Sequence, residues 1–134
     1  GKAGIPNKIL TKKGKLNTFE YETIKAHPVI GSYLVPKKMS IIIREHHERY
    51  DGKGYPSQLA GEDIPYFARI AAVADTFDAM TSKRTYRDAL PLEVVKAEIE
   101  RCAGTQFDPK IAKVFLDILN KNYEEIQKIQ EQYR

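Results

Sequence analysis

No stretch of the chain alternates cleanly between apolar and polar residues, so no strand is predicted and the class read from the pattern is all-α. The longest periodic run closes the chain. Ile111, Phe115, Ile118, Tyr123, Ile126, Ile129 and Tyr133 keep roughly helical spacing. Asp108 is suited to cap that helix and Pro109 to occupy its first turn. Residues 120–134 are expected to be a helical C-terminal extension of a single domain spanning 1–134. Pro65 to about Thr81 is the strongest helix by composition, with Ala68, Ala71, Ala72, Ala74 and Ala79 along it. Pro91 opens a further helix that ends before Gly104.

Upstream the pattern is more broken. Residues 1–17 are rich in Gly, Lys and Pro and read as a loop. Thr18 is placed to cap a helix that ends near His27, because Pro28 disfavours helical geometry in the residue before it. Pro28 suits the start of a short helix through about Leu34. Met39 to about Glu48 forms the next, and His46 and His47 continue its apolar side, four residues after Ile42 and Ile43. Asp51-Gly52-Lys53-Gly54-Tyr55-Pro56 opens a turn-rich loop that runs to about Asp63, and residues 82–90 form another.

Length and composition change this picture little. A chain of 134 residues is enough for one domain with a real core. Cys102 is the sole cysteine, which excludes an intrachain disulfide and fits a reducing, cytoplasmic setting. No run approaches the ~20 apolar residues of a membrane span, and no signal-peptide pattern opens the chain. The formal charge of +4 is compatible with an anionic ligand without requiring one. No basic run or stacked aromatics point to DNA or RNA.

The candidate chemistry lies in a few side chains. Two of the three histidines, His46 and His47, are adjacent and are followed by Glu48 and the Gly-rich loop. Imidazole is a common transition-metal ligand, although a histidine on an apolar face is often a satisfied core residue. Neighbours on a helix point about 100° apart, so His46 and His47 suit different ions of a cluster better than one shared ion. Asp75 and Asp78 share a side of the Ala-rich helix, where small neighbours are expected to leave them partly enclosed. An enclosed unpaired carboxylate costs several kcal/mol, so a cation, an arginine or a neighbouring helix end must answer it. His27, before Pro28, fits simple capping of helix carbonyls as well as ligation. Arg84 and Arg87 offer fork-shaped donors suited to phosphate, yet their spacing equally fits a solvated loop, as it does for Lys2 and Lys53. Three imidazoles with one or two carboxylates form the donor set of Mn, Fe, Co, Ni or Zn hydrolase sites, where the ion makes hydroxide available and neutralises phosphoryl charge.

The segment His46-His47-Glu48-Arg49-Tyr50-Asp51-Gly52-Lys53-Gly54-Tyr55-Pro56 resembles the signature of HD-GYP domains. Ile64-Pro65, Ala68-Arg69-Ile70, Val73 to Ser82, Arg84-Thr85-Tyr86-Arg87 and Gly104 to Pro109 resemble the same family in order. So do Ala26-His27-Pro28 and Gly1 to Pro6, the latter being similar to the end of the family's His-Asp-x-Gly-Lys-x-x-x-Pro stretch. The stretch between His27 and His46 is several residues shorter than the family's. The resemblance covers residues 1 to about 119.

It implies an HD-domain-like helical bundle with two or three divalent ions, commonly iron or manganese, that cleaves cyclic di-GMP to pGpG or GMP in bacterial signalling. By position His27, His46, His47 and Asp75 resemble its metal ligands. Tyr55, Arg84 and Arg87 resemble its substrate-holding residues, Lys2 the lysine near the scissile phosphate, and Asp78 an acid beside the reacting centre. The Gly-Tyr-Pro loop is associated with docking to diguanylate cyclase (GGDEF) domains. The family's His-Asp pair would stand just before Gly1, and its Asp bridges two ions. The chain as given is therefore expected to hold a partly filled site and to hydrolyse very weakly. A homodimer is expected to cover apolar surface left by the absent helices. Two other readings stay open: a non-catalytic module that binds a cyclic dinucleotide or a cyclase, and a hydrolase of another phosphoester.

Overall fold

The described residues of the computed structural model are 7–12, 14–33, 35–83 and 88–133. They form seven α-helices: α1 (Asn7–Leu10), α2 (Thr18–Lys25), α3 (His27–Tyr33), α4 (Lys37–Glu45), α5 (Tyr66–Thr81), α6 (Leu92–Arg101) and α7 (Pro109–Gln132). A 3-10 turn covers Gly61–Asp63. Among the described residues no strand forms; one isolated bridge joins Ala103 and Phe107. The all-α expectation holds.

Most boundaries follow local chemistry. Asp108 caps α7, its side chain accepting from the N–H of Lys110 at 2.9 Å and of Ile111 at 3.4 Å, with Pro109 next in the first turn. Asn17, rather than the expected Thr18, caps α2. Its Oδ1 accepts from the N–H of Glu20 at 2.8 Å, and Glu20 Oε1 accepts from the N–H of Asn17 at 3.1 Å. This is a reciprocal capping box, and it needs the acidic residue three places after the cap. Residues 7–10, expected as loop, make the single turn α1. His27 opens α3, one residue earlier than expected.

The chain divides into two compact units, residues 1–72 and residues 73–134, with the division inside α5. In the second, Val73, Phe77 and Met80 of α5 join Val95 and Ile99 of α6, Cys102, Phe107, and Ala112 and Leu119 of α7 in one buried apolar cluster. Phe77 meets Phe115 edge to face, with ring centroids 5.2 Å apart. Each fully buried Val, Ile or Phe is worth about 1.5–3 kcal/mol. The backbone of α7 departs from helical geometry at Asn122 (φ −131°, ψ 26°), and Tyr123 and Ile126 beyond it still pack against the cluster.

In the first unit α3 and α4 pack on each other. Ile9, Ile64 and Ala68 are buried there, and so are three polar side chains, those of His27, Glu45 and Glu48.

Candidate metal centre

α4 stops at Glu45, three residues before the expected end, so His46 and His47 lie in the turn that follows. His46 is the C-cap (φ −70°, ψ −11°), its N–H still donating to Ile42 O. Beyond it the N–H of Glu48 reaches only to Glu45 O, at 3.0 Å. Leaving the helix frees the two imidazoles from the 100° separation that a continuous helix imposes. Their ring centroids lie 4.2 Å apart, and that of His27 lies 4.6 Å from His47 and 6.3 Å from His46. One ligand atom from each of His27, His46 and His47 falls within 4.8 Å of the others. His46 and His47, adjacent in sequence, thus lie near one another and near His27.

Backbone carbonyls fix two of the three tautomers. Nδ1 of His27 lies 2.6 Å from Ile24 O, and Nδ1 of His46 lies 2.8 Å from Ile43 O. A carbonyl oxygen only accepts, so in the neutral ring each Nδ1 carries the proton and each Nε2 keeps the lone pair. The capping role foreseen for His27 is thus real, and it orients the ring for a second task. Nε2 of His27 is 2.9 Å from Nε2 of His47. Converging neutral imidazoles with preset tautomers suit a borderline transition-metal ion.

The loop after the histidines is held closely. Glu48, 3% exposed, accepts from the N–H of Ser57 through Oε1 and of Leu59 through Oε2, the latter at 3.0 Å. Burial pushes the Glu48 carboxyl up; the two N–H groups oppose this, and neighbouring Glu45 adds to it. Glu45 Oε1 takes Arg44 Nε at 3.1 Å and Ser57 Oγ at 3.3 Å, and its buried Oε2 has no partner among the described residues. Between Ser57 and Leu59, Gln58 adopts a left-handed φ of 54°, which costs a non-glycine residue roughly 1–2 kcal/mol. Arg49 grips Asp51 with Nε at 3.1 Å and Nη2 at 2.8 Å, and that guanidinium holds the Asp51 carboxyl down at about 2. Gly54 passes so near the chain that a Cβ there would lie 2.6 Å from His47 O and nearer still to Arg49 N. Tyr55 then lies parallel to His47, with centroids 5.1 Å apart and planes 11° apart, and its N–H points to His47 O at 3.4 Å. A cavity of about 460 Å³ adjoins it, bordered by Glu22, Lys25, Val29 and Gln58. A larger one of about 610 Å³, between α6 and α7, is lined by Lys and Glu side chains and by no imidazole.

Asp75 and Asp78 stand on the part of α5 that belongs to the second unit, and both are exposed rather than enclosed. The reason is helical phase: Val73, Phe77 and Met80 form the buried side of α5, and Asp75 lies about 200° round the helix from Val73. Asp78 Oδ1 accepts from Gln130 Nε2 at 2.9 Å, and the same amide nitrogen donates to Thr81 Oγ1 at 3.0 Å. Lys2, Arg84 and Arg87 lie outside the described residues. Sequence reasoning gave no site role to Glu48, although an acid flanking a histidine pair before a Gly-rich loop was a visible signal. Glu45 had none.

The HD domain family model matches residues 1–111. The chain is 42% identical, over 88% of its length, to a cyclic di-GMP phosphodiesterase of Thermotoga maritima. It is 42% identical, over 87%, to the cyclic di-GMP phosphodiesterase response regulator RpfG of Xanthomonas campestris pv. campestris. It is 37% identical, again over 87%, to 3'3'-cGAMP-specific phosphodiesterase 2 of Vibrio cholerae. It covers 34%, 32% and 24% of those relatives, so it spans about a third of their length or less. A crystal structure of a cyclic GMP-AMP specific phosphodiesterase of V. cholerae is similar in fold, with a TM-score of 0.59 at 22% identity over 98% of this chain and 36% of that one. Among the described residues no helix is long and apolar enough to cross a membrane.

Proposed function

The chain belongs to the HD domain family, and from that premise we propose that it is the metal-holding part of a phosphodiesterase that cleaves cyclic di-GMP to pGpG or GMP. The observation that carries the reading is the convergence of His27, His46 and His47 within 4.8 Å, two of them with tautomers set by backbone carbonyls. These imidazoles, with Asp75, would hold two or three divalent ions, iron or manganese. Such ions supply Lewis-acid neutralisation of phosphoryl charge and acidify bound water.

The chain's own residues have distinct tasks in this reading. Tyr55 presents a ring beside the histidines on which a guanine base can stack. Arg84 and Arg87 hold phosphate oxygens through their guanidinium forks. Lys2 or Asp78 hands a proton to the departing ribose oxygen. The Gly-Tyr-Pro loop, Gly54 to Pro56, is the surface we assign to docking of diguanylate cyclase domains, in a cytoplasmic protein that forms homodimers. Relatives named for cyclic di-GMP and for 3'3'-cGAMP both resemble the chain, so the two substrates are compared directly. Full-length protein loaded with Mn²⁺ should convert cyclic di-GMP to pGpG on a chromatogram, faster than 3'3'-cGAMP. His47→Asn and Asp75→Asn should abolish turnover; undiminished rates in these variants reject the assignment.

A further inference from the structure

We infer that Glu48 is a positioning residue of the candidate metal centre: its buried carboxylate seats the Gly-Tyr-Pro loop so that the Tyr55 ring lies flat on His47. The two ends of Glu48 do separate work. Its backbone follows His47 directly, and its side chain reaches forward to the N–H groups of Ser57 and Leu59. With Gln58 left-handed between them, those N–H groups form a concavity of the kind that holds anions. Glu48 fills it from within the chain, so the stretch 49–56 becomes a closed loop whose two ends meet at one carboxylate.

Tyr55 lies on that loop, and its register is set from both sides. Gly54 allows the backbone to pass His47 O and Glu48 Cα at distances that a side chain would forbid, and the Glu48 carboxylate draws back the segment that follows Pro56. Together they lay the Tyr55 ring 5.1 Å from His47, parallel to within 11°. The imidazole that Tyr55 covers is the one whose Nε2 meets that of His27. Supporting contacts of this kind fix the direction in which a ligand atom points.

The consequence for catalysis rests on the metal-centre reading; the geometry does not, and it is tested without turnover. In aromatic ¹³C–¹H spectra of the full chain, the ring current of Tyr55 displaces the His47 ring signals, and Tyr55→Leu gives their undisplaced position. Glu48→Ala should carry the His47 signals most of the way to that position while the other aromatic signals of the fold persist. Glu48→Gln, which keeps one acceptor, should carry them part of the way. In a Zn²⁺ titration of the same samples, affinity should fall about ten-fold in Glu48→Ala, as for loss of a residue that supports a ligand. Unmoved His47 signals in either variant overturn the inference. So does loss of the whole folded spectrum in both, which would make Glu48 a strut of the fold. If the full-length wild-type protein cleaves no cyclic dinucleotide while the His47 signals move as described, the phosphodiesterase reading fails and the positioning role stands.

Discussion

In residues 73–134 the buried set is one apolar cluster running from Val73 to Leu119, and the buried acid Asp108 is consumed as a helix cap. In residues 1–72 the buried set mixes Ile9, Ile64 and Ala68 with an imidazole and two carboxylates. The first arrangement gains free energy simply from removing apolar surface from water. The second must answer the polar groups it buries, and apart from Glu45 Oε2 it does so among the described residues through directed hydrogen bonds that also orient its side chains. Among the described residues, the unit with fewer buried apolar side chains is the one that holds the three converging imidazoles, and its order depends on a few specific contacts.

The comparison can be broken by disturbing each half in its own terms. The largest effect is expected from Phe107→Ala, which empties a fully buried ring from the apolar cluster. About 3–5 kcal/mol should be lost in urea denaturation, with or without added metal. Gly54→Ala drives a methyl group into the backbone of residues 47–49 and should cost about 2–3 kcal/mol, as overpacking does. Unlike the core change, it should also displace the Tyr55 and His47 ring signals in NMR spectra.

Smaller changes sharpen the contrast. Gln58→Gly relieves a left-handed backbone and should raise stability by up to about 1 kcal/mol in the same denaturation assay. The smallest effect concerns pH. The Asp51 carboxyl is held at about 2 by Arg49, below the ~3.9 of an unfolded chain. A depressed folded value means stability that is fully present above about pH 4 and lost as the pH falls toward 2. Asp51→Asn should remove that part of the acid dependence, and the loss should be small because Arg49 is partly exposed.

Helices α5, α6 and α7 were legible because their signals are local: an alanine-rich run, prolines at the starts, and Asp108 before Pro109. The end of α4 was not. His46 and His47 continue an apolar helical phase in the sequence, but the chain leaves the helix at Glu45. Glu48 and Tyr55 bond instead to partners several residues away across the loop, and a periodicity argument does not contain those contacts. The histidines were legible as a candidate ligand set. Their meeting depended on that early helix end, and the fixed tautomers depended on the carbonyls of Ile24 and Ile43. The exposure of Asp75 was readable in principle, since it lies opposite the apolar side of its own helix.

The most direct test of the central claim is calorimetric titration of the protein with Mn²⁺ or Zn²⁺, in the wild type and in His27→Ala, His46→Ala and His47→Ala, with far-ultraviolet circular dichroism confirming unchanged helix. A cation site built by these three imidazoles predicts saturable binding in the wild type and at least a ten-fold weakening in each variant. Equal affinity in all four folded proteins would contradict it.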